Sequence, residues 1–223
     1  MNNTLIFIPT YNESENIEPI YKQIKTLALK ADILFVDDGS PDGTGRIADR
    51  LCVDDACVFV AHRSGKLGIG SAHQEGIAWA YNKGYKTLIT MDCDFTHQPA
   101  DIPVFIENAV SHDIVIGSRY MSKESLKDWN LFRKTLTFTG HFLTKHLLRM
   151  PLDATGAFRL YHLDQIPKGI FDLVESKGYS FFFESLYVLN LNGFSVKEIH
   201  ICLPARTYGH SKMTVKDATN SLS

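Results

Sequence analysis

Short apolar, β-favouring runs alternate along this chain with helix-patterned stretches, and two of the runs end in carboxylates. Ile33-Leu34-Phe35-Val36 gives out at Asp37-Asp38, and the run over residues 87–91 gives out at Asp92-Cys93-Asp94. Residues 5–9 read as a buried strand, 15–30 carry helical periodicity and 32–36 form the next strand, which together make a β-α-β unit. Strands at 58–61, 87–91 and 113–117 alternate with helices from about 43 to 51, at 71–82 and at 102–109, and a long amphipathic helix is predicted over 128–149. Such alternation implies a mostly parallel central sheet flanked by helices. Beyond residue 149 the pattern loosens, and residues 206–223 read as a polar tail or a loop over a site. With no internal repeat, low-complexity tract or dividing linker, residues 1–223 are expected to form a single α/β domain.

Two carboxylates at alternate positions repel one another and stay ionised comfortably only around a cation. Asp92 and Asp94 therefore suggest a site for Mg²⁺ or Mn²⁺ at a strand end. A polar turn whose Asp side chains cap the backbone is the competing account. The second acidic strand end, at Asp37 and Asp38, favours the site, because open α/β sheets bind ligands in a crevice outside the carboxyl ends of their strands. A net charge of −2 gives no reason to expect nucleic acid as a partner. The four cysteines, Cys52, Cys57, Cys93 and Cys202, form no Cys-x-x-Cys pair and read as reduced thiols. Met1-Asn2-Asn3-Thr4 has no basic signal-peptide start, and no apolar stretch approaches the roughly 20 residues that span a bilayer. The expected location is cytoplasmic, with any membrane contact peripheral and on the cytosolic face.

Further motifs share this order along the chain. Pro9-Thr10-Tyr11-Asn12-Glu13, then Val36-Asp37-Asp38-Gly39-Ser40-Pro41-Asp42-Gly43-Thr44, then Asp92 and Asp94 together resemble the family 2 glycosyltransferases of GT-A fold. Gly117-Ser118-Arg119-Tyr120, Trp129 with Arg133 and Thr137, Asp153 through Tyr161, and Arg206 with Ser211-Lys212 resemble the polyprenyl-phosphate (dolichyl-phosphate) mannosyltransferase branch. The resemblance implies a Rossmann-like GT-A domain, a nucleotide-sugar donor (GDP-mannose above others) and inversion at the anomeric carbon. It also implies that Pro9, Tyr11 and Glu13 flank the base and ribose, that Val36 offers backbone and Asp38 bonds the base, and that Asp94 binds metal most directly. Cys93 falls with Asp92 and Asp94 on the donor side. On the residues alone, Asn12 and Ser14 also suit caps of the following helix.

The chemistry asks for cations where a diphosphate leaves. Lys66, in the glycine-rich segment Arg63 to Ser71, is a diphosphate candidate, and Arg206 and Lys212 suit a clamp over the same group. Arg119, Arg133 and Thr137 would converge two guanidiniums and a hydroxyl on one acceptor phosphate. An ion pair between Arg119 and Asp153 is the alternative for that arginine. A phosphomonoester, with its second pKa near about 6, needs no strong general base to attack. Catalysis then falls to Asp92, Asp94 and Arg119 through alignment and charge.

The stretch over residues 127–149 carries Trp129, Leu131 and Phe132 with five basic residues against one acidic, which suits an interfacial helix on anionic lipid as well as a core-facing helix. The expected activity is metal-dependent transfer of a hexose to a polyprenyl phosphate, with a separate membrane-anchoring subunit as a further possible partner. The alternatives are another sugar donor or a glycan or other lipid acceptor, a phospho-receiver module built on Asp37, Asp38 and Asp92, and an inactive nucleotide-sugar-binding partner.

Overall fold

The computed structural model describes residues 2–121 and 150–202. Among them, strands β1 (Thr4–Thr10), β2 (Ala31–Asp37), β3 (Val58–His62), β4 (Thr87–Thr90), β5 (Ile114–Ser118), β6 (Arg159–His162) and β7 (Val196–His200) form one sheet in the order β3-β2-β1-β4-β6-β5-β7. β2 pairs in parallel with β1 and β3, β1 with β4, and β5 with β7, whereas β6 runs antiparallel between β4 and β5. The expected mostly parallel sheet is therefore present, with one reversed strand. The helix predicted over 128–149 and the tail lie outside the described residues.

The alternation of side chains along a strand sorts the core into two layers. Leu5 and Phe7 of β1, with Leu34 and Val36 of β2, join the layer packed by helices α3 (Ile69–Lys83) and α6 (Ser180–Leu191). Ile6 and Ile8, with Ile33 and Phe35, point the other way onto α1 (Ile17–Thr26), α2 (Thr44–Asp54) and α4 (Ile102–Asn108). Every residue of β2 is buried, and its centre, Ile33–Val36, is an apolar run closed by Asp37, while buried Asp32 at its start accepts from Asn2 Nδ2 and the Tyr85 hydroxyl. Helix α1 is shorter than the 15–30 expected: the chain turns left-handed at Ala28, with φ 52°, and ends it.

β6 and β7 are the strands that periodicity missed, and β6 is the one that bears on the site. It opens with Arg159, which has no exposed surface, and a charged residue at a strand start reads as solvent-facing. The guanidinium is satisfied by neutral acceptors instead: Nε donates to the Gly156 carbonyl (2.8 Å), Nη1 to Ser185 Oγ (3.0 Å) and Tyr161 Oη (3.3 Å), and Nη2 to the carbonyls of Ala154 (2.8 Å) and Phe182 (2.6 Å). These bonds tie the start of β6 to α6. Short helix α5 (Lys168–Phe171) completes the connection between them.

Layer packing is tightest where α3 crosses β1. A Cβ on Gly76 would lie 2.4 Å from a ring carbon of fully buried Phe7, whereas one on Gly169 of α5 would meet nothing within 4 Å. Gly76→Ala should accordingly cost about 1–3 kcal/mol through overpacking. Gly169→Ala should be neutral or stabilising by at most about 1 kcal/mol. Urea unfolding midpoints of both variants check the pair, and equal midpoints for Gly76→Ala and the parent would contradict this packing.

Candidate active site

Because β1 lies between β2 and β4 and runs parallel to both, the three carboxyl ends share one edge of the sheet. Thr10 is in register with Asp37 and Phe7 with Thr90, so Asp92 emerges beside the last residues of β1. The chain builds outward from β1 to β3 and then crosses to β4 on the other side, which makes this edge the switch point where such sheets hold ligands. Half-buried Pro9 and Tyr11 border it. Val36 is 1% exposed, so it can offer only backbone, and its carbonyl accepts the Thr10 hydroxyl at 3.3 Å.

The loop after β1 is held by the loop after β2. Asn12, at φ 56°, donates its amide to Ser40 Oγ (2.9 Å), and Ser40 in turn donates its hydroxyl and amide to Asp37. The Glu13 amide donates to Thr44 Oγ1 (2.8 Å) and the Ser14 amide to Asp42 Oδ2 (3.0 Å). Burial raises the Asp42 carboxyl, but donors from Thr44 and Ser14 outweigh it and hold the group below its ordinary value. Glu13 is buried, with Oε2 accepting from Asn16 at 2.6 Å. The helix caps expected at Asn12 and Ser14 do not form: α1 has Asn16 at its N-cap, without a side-chain cap bond, because the Glu13 carbonyl already accepts the amides of Asn16 and Ile17.

Arg63 is the site residue that the sequence did not single out. It follows β3, whose His62 is in register with Asp37, so a third strand end delivers it beside Asp38. Its Nη1 donates to Asp38 Oδ1 at 2.6 Å and Nη2 to Ser71 Oγ, while Nε lies 3.2 Å from Glu75 Oε2 without hydrogen-bond alignment. Both Arg63 and Asp38 are buried. Desolvation raises the Asp38 carboxyl above its ordinary value despite the opposing pull of Arg63. The recoverable signal was its position one residue past an apolar run next to the acidic one.

Downstream of Arg63, the glycine-rich segment serves packing. A Cβ on Gly68 would lie 2.4 Å from the Lys177 carbonyl oxygen, and one on Gly70 would lie 2.6 Å from Phe181 Cβ, so both glycines let the segment press on the entry to α6. The Ser71 amide donates to the Lys177 carbonyl at 3.1 Å. Lys66 remains exposed, with Nζ 5.7 Å from the centre of the Tyr11 ring.

After β4 the chain doubles back through Phe95, at φ 62°. Asp94 Oδ1 accepts the Thr96 amide (3.1 Å) and hydroxyl (2.6 Å), and the Asp92 amide donates to His97 Nδ1 at 2.9 Å. That bond makes Nδ1 an acceptor, while the buried ring stacks on Phe158 with centroids 5.0 Å apart. His97 is thus a structural histidine of this turn. Cys93 is 2% exposed and faces the core. Among the described residues, no group of three or more His, Cys, Asp or Glu side chains is placed to hold a metal. Two hard carboxylates on one turn nevertheless fit Mg²⁺ or Mn²⁺, which take the balance of their ligands from phosphate oxygens and water.

β5 runs parallel to β4 across the reversed β6, so Arg119 leaves the sheet at the same edge. The ion pair with Asp153, the alternative to the acceptor-phosphate role expected of Arg119, is present: Asp153 Oδ2 accepts Arg119 Nε at 2.8 Å and the Arg119 amide at 3.0 Å. Asp92, Asp94, Arg119, Asp38, Tyr11 and Lys66 therefore belong to loops of one sheet edge. Arg133, Thr137, Arg206 and Lys212 lie outside the described residues, as does the stretch around Trp129. Among the described residues, no helix is long and apolar enough to cross a membrane.

Comparison with known proteins agrees with this architecture. The chain is 37% identical over 214 residues, 95% of its length and 81% of the relative's, to a polyprenol monophosphomannose synthase of Mycolicibacterium smegmatis. It is 36% identical over 211 residues to an undecaprenyl-phosphate mannosyltransferase of Micrococcus luteus, covering 94% of this chain and 87% of that one. Mannosyl-3-phosphoglycerate synthase from Rubrobacter xylanophilus shares the fold with a TM-score of 0.66 at 14% identity, over 98% of this chain and 69% of the other. A mannosyltransferase from Pyrobaculum calidifontis, solved with GDP-Man and Mn²⁺, aligns with a TM-score of 0.55 at 15% identity, over 92% of this chain and 58% of that one. Residues 5–166 match the model of Glycosyl transferase family 2, and the chain belongs to that family of glycosyltransferases.

Proposed function

We propose that this enzyme transfers mannose from GDP-mannose to a polyprenyl phosphate, with inversion, at the cytosolic surface of a membrane. The observation that carries the reading is the shared sheet edge, where the Asp92 and Asp94 turn and Arg119 leave parallel strands together. The choice of mannose and of a prenyl phosphate rests on the two relatives named for those substrates.

In this reading Pro9, Tyr11, Glu13, Val36 and Asp38 receive the nucleoside, and Arg63 fixes the Asp38 carboxylate through its Oδ1. Asp92 and Asp94 hold Mg²⁺ or Mn²⁺, which when bound stabilises the charge that grows on the departing diphosphate. Lys66, Arg206 and Lys212 supply cationic donors to the same group. Arg119, Arg133 and Thr137 hold the acceptor phosphate, whose oxygen forms the new bond to the anomeric carbon as the bond to the diphosphate breaks. No residue is required as a strong base, because the acceptor is already largely ionised at neutral pH. The basic, apolar stretch over 127–149 brings this pocket to the lipid headgroups.

Purified enzyme with Mn²⁺ should move label from GDP-mannose, and not from UDP-glucose or UDP-N-acetylglucosamine, onto a short polyprenyl phosphate. Asp94→Asn should lower that turnover by about a hundredfold or more while its circular dichroism is unchanged. Full turnover by Asp94→Asn, or by the parent enzyme after chelation, rules out the metal role. Preference for a uridine donor rules out the proposed sugar source.

Arg63→Met tests the nucleoside side. Losing the charge-assisted bond to Asp38 should weaken GDP binding about tenfold or more by calorimetry. Asp38 also predicts a pH dependence: since its folded-state carboxyl is raised above the ordinary 3.8, ionisation costs the fold, and stability at this site declines as pH climbs from there. Without Arg63 the decline should steepen. Parallel curves of urea midpoint against pH for the two proteins would show that Arg63 does not support the charge on Asp38.

A further inference from the structure

We propose that Asp153 is the positioning residue for the acceptor phosphate, acting by holding Arg119; this rests on the reading of Arg119 as a phosphate ligand. One oxygen, Asp153 Oδ2, accepts both the backbone amide and the Nε of Arg119, at 3.0 and 2.8 Å. This grips the side chain at both ends of its stem and engages the Nε edge of the guanidinium. Nη1 and Nη2 make no hydrogen bond among the described residues, and they are the atoms that a phosphate would take as a fork. Arg119 keeps 13% of its side-chain surface exposed, whereas Asp153 keeps 1%, so the arginine reaches solvent and the carboxylate does not.

The carboxylate is itself held. Its own amide donates to Glu198 Oε1 of β7 at 2.7 Å, and its other oxygen, Oδ1, lies 3.4 Å from both the amide and the hydroxyl of Thr155. Gly156 packs beside the guanidinium: a Cβ there would stand in ordinary contact with Arg119 Nη2, at 3.5 Å, and closer, at 3.3 Å, to the Gly117 carbonyl oxygen. Arg159 then locks the segment from below through the carbonyls of Ala154 and Gly156. The sequence from Asp153 to Arg159 thus builds a rigid bracket whose one polar output is the direction of Arg119. A guanidinium held by Nε loses little freedom when it binds phosphate, whereas a lysine ammonium has no planar fork whose one edge could stay on Asp153 while the other meets a phosphate.

Steady-state kinetics with a short polyprenyl phosphate, beside donor binding by calorimetry, separates this role from a merely structural one. Asp153→Asn should raise the acceptor KM about tenfold or more, with donor affinity changed by less than about twofold. In an Arg119→Ala background the same substitution should add nothing, because the residue through which it acts is gone. An undiminished effect of Asp153→Asn in that background, or an unchanged acceptor KM in the single variant, overturns the positioning role while leaving Arg119 a ligand. If Arg119→Ala alone leaves the acceptor KM unchanged, the ligand reading fails first and the positioning role with it. Should Asp153→Asn not fold, Arg119→Lys carries the test: an acceptor KM as poor as that of Arg119→Ala supports the bracket, and recovery to within about threefold of the parent overturns it.

Discussion

Parallel strands bring all their carboxyl ends to one edge, and in this protein that edge is crowded with acidic groups that are partly or wholly out of water. Each has to be answered locally, because an uncompensated buried charge is costly. Ser40 answers Asp37, Arg63 answers Asp38, Thr44 and Ser14 answer Asp42, and Arg119 answers Asp153. The bonds of Ser14 to Asp42 and of Arg63 to Asp38 join the loops after β1, β2 and β3, and that of Arg119 to Asp153 joins the loop after β5 to the segment that enters β6. The loop after β1 has no side-chain cap for its helix; it is shaped by the loop after β2 instead.

The same economy of contacts explains why catalytic and scaffold roles are hard to separate here. Arg119 serves as counter-ion to a buried carboxylate through Nε, which leaves its forked face for a ligand, so the structural and the functional account of that residue describe two edges of one guanidinium. Arg63 pairs Asp38 through Nη1 and spends Nη2 on Ser71, on the side proposed for the nucleoside. The glycine-rich segment unites packing with placement: Gly68 and Gly70 seat it on the entry to α6, and the seating leaves Lys66 exposed above Tyr11.

The central strands were legible because they are buried on both faces and read as apolar runs, with Ile33–Val36 of β2 the clearest case, whereas β7, Val196–His200, is an edge strand with one buried residue and carries no such run. The acidic turns were legible because they interrupt those runs. β6 was not, since its first residue is an arginine whose burial depends on five acceptors gathered from Gly156, Ala154, Tyr161, Phe182 and Ser185, and no local pattern announces such a gathering. Arg63 was missed for a related reason: its partner Asp38 is 25 residues away and becomes a neighbour only through the β2 and β3 register. Asp37 misled in the opposite direction. It suggested a phosphorylation pocket, but its carboxylate is occupied with Ser40, and the family match along residues 5–166 accounts for the chain without one.

An enzyme that aligns an ionised phosphate against the anomeric carbon, with no covalent sugar intermediate, has to invert the configuration of the sugar it moves. The decisive measurement is therefore the product itself: GDP-α-mannose and a short polyprenyl phosphate incubated with the enzyme and Mn²⁺, the lipid fraction isolated, and the anomeric linkage read by carbon–hydrogen coupling in NMR. A β-mannosyl phosphate attached to the prenyl chain is the predicted result. An α-linked product, or mannose released to water with the lipid phosphate unmodified, would contradict the account.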